Sequence, residues 1–327
     1  MSLHRPFTAT TAIALALSAA APGWAQTMTP DQAWQQLQAI ADQMDLSITT
    51  TGVVTGADAV TASGVRIFAE DDPETVVVSM ESLRVAPEGT QIRLTPAASF
   101  EVAIAESASV THRVQITHDG SLAGALDREN AALDLDFPSL RATLMAPVSA
   151  KGTPTGGSPE MDLTFTGLDA TIRAAREGAA ELVLDVSAVD YDIVYPDPAG
   201  PSSNMISQDG QMEGVRLTFV GTELDMLSDE NGMLRAAFDA GFSFDLGMSV
   251  GSSRQTSSQM LEGMPLAMDT QGASSTMRIA ALDGRVDITG EAGPLAINGS
   301  YGPIPGGATL GGMALNFGLP LVTTPED

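Results

Sequence analysis

Apolar and polar residues alternate along most of the chain, with the period of two that β-strands show when one face is buried and the other solvated. In residues 100–116 the apolar side chains fall on even positions, from Phe100 to Ile104 and again up to Ile116. As one strand this stretch would extend about 56 Å at roughly 3.3 Å per residue; a turn or bulge at Glu106-Ser107 is the alternative. The pattern predicts a mainly β fold, with a long, twisted antiparallel sheet that forms either a sandwich or a curved groove.

Further alternating segments and turn sequences follow one another towards the C-terminus. The other alternating segments are residues 75–85, 161–168, 181–195 with a change of phase near Ala188, 215–220 and 277–288. Dipeptides typical of β-turns predict the connections between strands, and they are Glu88-Gly89, Asp119-Gly120, Asp209-Gly210, Asp283-Gly284 and Asn298-Gly299. Residues 161–168 and 215–222 share the sequence Leu-Thr-Phe followed by a glycine, which indicates weakly a repeat of about fifty residues. Residues 151–159 and 195–204 are predicted to be loops rather than domain boundaries.

The segment 26–45 breaks the alternation and has the period of a helix. Thr29-Pro30-Asp31-Gln32 forms a capping box with proline at the first helical position. Trp34, Leu37, Ile40, Ala41 and Met44 then recur at helical spacing. This predicts an amphipathic helix over residues 30–44 that packs its apolar stripe on the sheet.

The first 25 residues have the composition of a secretory signal peptide. His4 and Arg5 precede an apolar, alanine-rich run, and Pro22 interrupts that run before a small-residue site ending at Ala25. A retained membrane anchor is the alternative, but the run is shorter than the roughly 20 residues that a span needs. The sequence therefore predicts cleavage after Ala25, a periplasmic protein without a transmembrane helix, and one antiparallel β domain over residues 46–327.

Charge and cysteine content restrict the partners. The formal net charge is −26 and the chain has no cysteine. Such an acidic protein repels nucleic acid and anionic lipid headgroups, so neither is an expected partner. Without disulfides the exported chain depends on packing and hydrogen bonds for its stability.

A Gly-x-Ser-x-Gly sequence at Gly247–Gly251 raises the question of a catalytic Ser249. The histidine base of such a hydrolase follows its serine, whereas His112 and His118 both precede Ser249. Ser249 is therefore predicted to be a solvated residue near the end of a strand. Residues 233–240 are compatible with either the beginning of that strand or a short helix before it.

The candidate metal-binding residues in the sequence also have little support from their spacing. His112 and His118 would lie about 20 Å apart on an extended strand, too far for one ion shared with Glu106, so a structural role is expected. The acidic clusters at residues 71–74 and 229–231 lack the calcium-loop pattern and are predicted turns. Met260, Met264 and Met268 recur every four residues; apolar filler or a pliable contact surface is favoured over Cu(I) ligation. The sequence thus predicts no catalytic, cofactor-binding or metal-binding residue.

The chain resembles a family of exported alphaproteobacterial proteins of unknown function. The likeness rests on the signal, the Asp31-Gln-Ala-Trp34 helix opening, the glycine-containing strands and residues 294–325 with Asn316-Phe-Gly-Leu-Pro-Leu321. Family members continue beyond such a Pro-Leu segment, which implies a chain shortened at its C-terminus with an unpaired edge strand. At the level of fold the pattern also looks like the AsmA-like sheet-and-groove proteins of envelope lipid handling.

The expected function is that of a non-enzymatic envelope protein without a cofactor. Its apolar sheet face would shelter a lipid or another hydrophobic ligand, or pack on an envelope partner. A carboxylate-dependent hydrolase of envelope polymers is the alternative, since 41 acidic residues supply many candidate pairs. The enzyme would show a polar cleft with carboxylates of displaced pKa, and the lipid-binding protein a continuous apolar surface.

Overall fold

The computed structural model describes most of the chain after residue 27. The described residues are 28–43, 45–70, 72–89, 91–107, 110–126, 130–149, 160–175, 179–196, 205–222, 242–261, 263–282 and 285–320. The predicted signal peptide, Met44, Lys151 and residues 229–231 and 233–240 lie outside them. No helix within the described ranges has the length and apolar content that crossing a bilayer requires.

One helix and twenty strands make up the described structure. The elements are α1 (Pro30–Gln43), β1 (Leu46–Thr49), β2 (Gly52–Thr55), β3 (Val60–Ala69), β4 (Val76–Glu88), β5 (Gln91–Pro96), β6 (Ser99–Ser107), β7 (Val110–His118), β8 (Ser121–Leu126), β9 (Asn130–Ser149), β10 (Glu160–Ala175), β11 (Ala180–Pro196), β12 (Met205–Thr222), β13 (Ser243–Val250), β14 (Ser252–Leu261), β15 (Met264–Gly272), β16 (Ser275–Leu282), β17 (Arg285–Ala292), β18 (Leu295–Tyr301), β19 (Ile304–Leu310) and β20 (Met313–Pro320). The strands belong to a large antiparallel sheet. The predicted fold class, mainly β with a short N-terminal helix, is confirmed.

Helix α1 begins at the predicted cap. The Gln32 amide donates to Thr29 Oγ1 at 3.3 Å, and the Thr29 amide donates to Gln32 Oε1 at 2.8 Å, which is the reciprocal pairing of a capping box. The helix contacts β1, β3 and β4 through its buried positions, which are Ala33, Leu37, Ile40 and Ala41. Trp34 is only half-buried, so the buried stripe is centred one residue earlier than predicted.

The chain divides into two compact units, residues 1–169 and 170–327. In the N-terminal unit, successive strands pair with one another: β3 with β4, β4 with β5 and β6, and β6 with β7. Its core lies between α1 and the strands, and its most deeply buried side chains are Ile40, Val60, Val65, Val85 and Ile92. The apolar side chains that alternate along these strands in the sequence are therefore buried in a core in this unit.

In the C-terminal unit, pairs of short strands act as single long strands. Strand β12 pairs along one edge with β11, and along the other with β14 and then β13. Consecutive short strands lie end to end and pair with the same adjacent long strands, so that each two of them form one extended stretch. The four such stretches are β13 with β14, β15 with β16, β17 with β18, and β19 with β20. The unit is therefore a meander of hairpins.

A row of irregular residues crosses this meander, and we call it the seam. It consists of Gly214, Gly251, Ala273-Ser274, Gly293-Pro294 and Gly311-Gly312, which separate the two halves of successive long strands. Gly214 has a φ of +60°, and the Gly251 amide donates to the Glu213 carbonyl at 2.8 Å. A residue with a side chain adopts that φ only at a cost, which explains the glycine.

The alternation of apolar residues shifts by one position at the seam. In β15 the apolar residues are even-numbered, as in Leu266 and Met268, whereas in β16 they are odd-numbered, as in Met277 and Ile279. Residues on either side of the seam pair one to one without a change of register, so the seam is not a β-bulge, in which two residues oppose one. We interpret it as a row at which the pleat reverses in every strand, as the left-handed φ of Gly214 indicates, so that the same face stays apolar. The phase change that the sequence shows near Ala188 falls on the same row, opposite Gly214.

The long stretch 100–116 is a hairpin rather than one strand. Strands β6 and β7 pair antiparallel, with Ser107 opposite Val110 and a register irregularity between Ala105 and Ser107. The single 56 Å strand is therefore wrong, and the alternative of a turn or bulge near Glu106-Ser107 is correct. The reason is that both arms of a hairpin carry the same alternation, so the pattern alone does not show the reversal.

Three of the five predicted turn dipeptides do not reverse the chain. Glu88-Gly89 begins a tight hairpin, because Glu88 lies opposite Gln91. Asp119-Gly120, by contrast, separates β7 from β8, and both of these strands pair with β9. Asp209-Gly210 and Asn298-Gly299 lie inside β12 and β18. The fifth, Asp283-Gly284, lies outside the described residues, between Leu282 and Arg285, which pair with each other.

Candidate functional site

The register of the C-terminal unit places apolar side chains from six strands on one face. Residues directly opposite each other in an antiparallel pair point to the same side, and Leu217 lies opposite Met248, which lies opposite Met277. We call this set the apolar face: Leu182, Leu184, Leu217, Phe219, Phe244, Leu246, Met248, Met277, Ile279, Val286, Ile288, Met313, Leu315, Phe317 and Leu319. It extends across β11, β12, β13, β16, β17 and β20.

The apolar face is exposed to a degree that the N-terminal core is not. Among the described residues, 20 of the 25 buried apolar side chains lie in the N-terminal unit, whereas 13 of the 15 large exposed ones lie in the C-terminal unit. Met277, Phe317 and Leu315 are 38%, 38% and 48% exposed. A contiguous exposed apolar patch of this kind is unusual on the surface of a monomeric soluble protein.

The opposite side of the same strands, which we call the polar face, carries ion pairs. Arg216 Nη1 donates to Asp185 Oδ1 at 3.2 Å between β12 and β11, and Arg278 Nε donates to Asp245 Oδ1 at 2.8 Å between β16 and β13. Strong amphipathy of a sheet keeps each face in one environment. The apolar face is therefore the side on which a hydrophobic partner would bind.

The pair between Asp245 and Arg278 gives a pH-dependent prediction. The hydrogen bond from Arg278 holds the pKa of Asp245 below its usual value. Since the folded pKa is the lower one, the pair stabilises the fold above the ordinary carboxyl pKa, and this contribution is lost as the pH falls through the folded pKa. Both side chains are more than a third exposed, so we expect less than about 1 kcal/mol. Arg278→Gln should raise the pKa of Asp245 in a carboxyl-carbon NMR titration.

The matched control for that titration is Arg216→Gln, which removes the partner of Asp185 instead. It should leave the pKa of Asp245 where it is. An Asp245 pKa that stays low in the Arg278 variant would show that the hydrogen bond is not its cause.

Ser249 lies on the polar face near the end of β13. It is opposite Arg216 on β12 and Thr276 on β16. Its neighbours in sequence, Met248 and Val250, point to the apolar face. The structure therefore places Ser249 in a regular strand, without the sharp strand-to-helix turn of a nucleophile elbow.

His118 is a packing residue. It is 8% exposed, and its ring lies between Phe100 and Phe137 at centroid distances of 5.7 and 5.2 Å. Its Nε2 lies 3.0 Å from the Ala97 carbonyl oxygen, which identifies Nε2 as the protonated nitrogen. His112 lies opposite Ile104.

The histidines are not assembled into a metal site in the described part of the chain, where no group of three or more His, Cys, Asp or Glu residues has metal-binding geometry. Of the acidic cluster at residues 71–74, Asp71 lies outside the described residues; residues 73–75 form a turn, beside which Thr75 Oγ1 donates to Asp72 Oδ2 at 2.6 Å.

The three methionines of the Met260–Met268 pattern do not share one face. Leu261 lies opposite Met264 across the hairpin of β14 and β15, whereas Met260 lies opposite Pro265. Met264 and Met268 therefore point to one side and Met260 to the other. This division removes the three-thioether copper site, since one ion needs all its ligands on one side.

A depression of about 360 Å³ lies across β12, β14, β15 and β18, and its lining is more apolar than polar. Asp209, Thr256, Asp269 and Asn298 line it in one row of paired residues. Thr256 Oγ1 donates to Asp209 Oδ1 at 2.5 Å, and Arg254 Nη2 lies 3.6 Å from Asp269 Oδ2. Oδ1 of Asp269 is buried and has no hydrogen-bond partner among the described atoms.

The displaced carboxyl pKa values in the described residues indicate structural ion pairs. The pKa values of Glu88, Asp162 and Asp245 are all lowered, in each case chiefly by a hydrogen bond from an arginine. A carboxyl group that acts as a general acid near neutral pH needs a raised pKa instead. These three groups therefore stabilise strand pairs and are not candidates for proton donors.

Part of the apolar face escaped sequence reasoning. Residues 313–319 alternate as regularly as residues 277–288, but only the latter were predicted as an alternating segment. The signal in β20 is the alternation of Met313, Leu315, Phe317 and Leu319, which begins directly after Gly311-Gly312 and includes Gly318 at a position of the opposite phase.

Comparison of the chain with the profiles of known protein families, with curated proteins and with solved structures found no match.

Proposed function

We propose that this protein is an exported, non-enzymatic envelope protein whose C-terminal unit binds the hydrocarbon chain of a lipid on the apolar face. One observation carries the proposal: six neighbouring strands present large apolar side chains on one face, and six of these side chains are 38–69% exposed. Covering such a surface contributes about 25 cal/mol for each Å² of apolar area removed from water. The polar face of the same strands carries charged side chains, which are hydrated and need no cover.

The charge of the chain restricts the ligand further. With a net charge of −26, the protein repels an anionic headgroup at close range. A neutral or zwitterionic amphiphile that buries its acyl chain and leaves its headgroup in solvent fits both the apolar face and the acidic surface. We therefore expect the acyl chain, and not the headgroup, to supply most of the binding free energy.

Export to the periplasm is part of the proposal and rests on the sequence. The basic start, the apolar run and the small residues up to Ala25 support it. Membership of the exported alphaproteobacterial family stays a prediction, because the likeness is one of pattern.

The first experiment is mass spectrometry of organic extracts of the protein purified gently from the periplasm. We expect a lipid at about one molecule per chain, absent from a sample that has been denatured, washed and refolded. Lipid in equal amount in both samples would mean adventitious carry-over and would contradict the proposal.

A pair of variants locates the binding surface. Met277→Glu places a charge on the apolar face, whereas Thr276→Glu places the same charge one residue away on the polar face; both positions are exposed. We expect the first to weaken binding of N-phenyl-1-naphthylamine, a neutral apolar fluorophore, by at least about tenfold, or 1.4 kcal/mol. The second should bind like the wild type. Equal weakening in both variants would place the binding surface elsewhere.

One specific observation favours the hydrolase alternative: Oδ1 of Asp269, which lines the depression across β12, β14, β15 and β18, is buried and has no hydrogen-bond partner among the described atoms. Asp269 and Asp209 are separated by one strand, which corresponds to about 10 Å between their backbones. This spacing is close to the separation of about 6.5–9.5 Å that an inverting glycosidase needs between its two carboxyl groups. Hydrolysis of an envelope polymer that Asp269→Asn abolishes would establish this alternative and overturn the non-enzymatic proposal.

A further inference from the structure

Methionine is over-represented on the exposed apolar surface of the C-terminal unit. Six of the 13 large exposed apolar side chains that the structure describes in this unit are methionines, with exposures of 38–69%. Three of them belong to the apolar face: Met248, Met277 and Met313. Met248 and Met277 lie directly opposite each other on neighbouring strands, which brings their Cβ atoms to about 4.5–5.5 Å.

Thioether sulfur is the most readily oxidised group that this chain exposes. The chain contains 16 methionines and no cysteine, so no thiol competes for a two-electron oxidant. Oxidation converts a flexible apolar side chain into a polar one, and methionine sulfoxide reductases reverse it. Exposure favours the reaction, and the three face methionines are far more exposed than Met80, which is 9% exposed in the N-terminal core.

We propose that Met248, Met277 and Met313 form a reversible oxidation site that switches the apolar face from ligand-binding to ligand-releasing. The inference rests on the proposed function. With hypochlorous acid as oxidant, the sulfur of each methionine gains an oxygen atom and loses two electrons, while the chlorine of the acid leaves as chloride and one proton is released. The new sulfoxide dipole lies where the hydrocarbon chain would pack. Leaving a polar group against hydrocarbon without a hydrogen bond is unfavourable, so the ligand dissociates.

Geometry explains why these three residues act together. Met277 is opposite Gly290, and Met313 is opposite Ala292, the next residue but one along the same strand. Neither glycine nor alanine screens its thioether neighbour. The sulfoxides would therefore form one polar zone across β13, β16, β17 and β20 rather than isolated defects.

Met260 provides the matched control. It is 43% exposed, similar to Met248 at 41%. It points to the other side of the sheet from Met264, on the row that includes Pro265. Oxidation at Met260 should therefore proceed, but it should not change binding on the apolar face.

The test uses the purified full chain, hypochlorous acid and N-phenyl-1-naphthylamine as the probe. Peptide mapping by mass spectrometry should show oxygen addition at Met248, Met277 and Met313 before Met80. Probe affinity should fall by at least about tenfold and return after treatment with both methionine sulfoxide reductases, since each enzyme reduces one epimer. The Met248→Leu, Met277→Leu, Met313→Leu triple variant should keep its affinity after oxidation. The Met260→Leu variant should lose affinity like the wild type.

The outcomes separate the two proposals. If the untreated chain binds no probe and carries no lipid, the proposed function is wrong, and the switch is wrong with it. If the untreated chain binds but oxidation of the three face methionines leaves its affinity unchanged, the switch alone is overturned. Equal sensitivity of the triple variant and the wild type would also overturn it, because another methionine would then be responsible.

Discussion

Replacing Gly120 with alanine should destabilise the N-terminal unit by about 3 kcal/mol. A Cβ atom at this position would lie 2.0 Å from the Asp136 carbonyl oxygen and 2.7 Å from the Phe137 Cα. The obstacle is main chain on β9, which has no side-chain rotation to relieve it. The two strands must separate, and the bond from the Ser139 amide to Asp119 Oδ1, 2.7 Å long, lies beside the displaced segment.

Gly52→Ala is the control for this substitution. Gly52 is also in the N-terminal unit, and a Cβ there meets no atom within 4 Å. We expect a change within about 1 kcal/mol, and in the stabilising direction, because alanine reduces the entropy of the unfolded chain. Urea unfolding of the chain from Gln26 onward, followed by the fluorescence of Trp34, its one tryptophan, measures both. Equal stabilities of the two variants would show that β9 yields to the added methyl group.

Replacing Ile40 with alanine should cost the N-terminal unit about 3 kcal/mol. Ile40 is 1% exposed and lies where α1 contacts the sheet. The substitution removes three carbon atoms from a site that is filled on all sides, so the loss includes a cavity as well as the transfer of the side chain. The same urea titration with Trp34 fluorescence gives the change in free energy of unfolding.

Gln38→Ala tests whether that loss comes from packing. Gln38 is exposed on the same helix, and alanine has a slightly higher helix propensity than glutamine. We expect no loss of stability from this variant. A comparable loss from both substitutions would mean that helix propensity, not burial under the helix, controls the stability of the unit.

The fold class and the first helix were predictable because each depends on local pattern. Thr29 and Gln32 specify a cap through their own hydrogen bonds, and the period of two specifies strands without knowledge of their partners. The same locality explains the error in residues 100–116. Two arms of a hairpin with even apolar positions look like one strand when the turn between Ser107 and Val110 carries no Gly, Pro, Asn or Asp.

Turn dipeptides failed for a different reason. Asp209-Gly210 has a strong turn propensity, but in β12 the glycine is required by a neighbouring strand: a Cβ on Gly210 would lie 2.5 Å from the Arg254 carbonyl oxygen. The same holds for Gly299, where a Cβ would lie 2.6 Å from the Ala267 carbonyl oxygen. Close approach within a sheet and reversal of the chain both select glycine, and the sequence does not distinguish them.

The candidate site was only half predictable. The alternation of apolar and polar residues predicts an apolar face, but this alternation is equally strong in both units, for example in residues 100–104 and 277–281. What differs is whether another layer covers the face, and that depends on contacts between distant segments. The helix that begins at Pro30 covers β1, β3 and β4, which gives the N-terminal unit its closed core.

The seam limits how the chain of the C-terminal unit can change in length. Since apolar positions are odd-numbered on one side of the seam and even-numbered on the other, as in Met277 and Met268, each half-strand has its own phase. Deleting one residue between the seam and a hairpin turn would move the rest of that half-strand to the opposite face. Length changes that preserve the fold are therefore confined to the connections between hairpin arms, where no phase is disturbed.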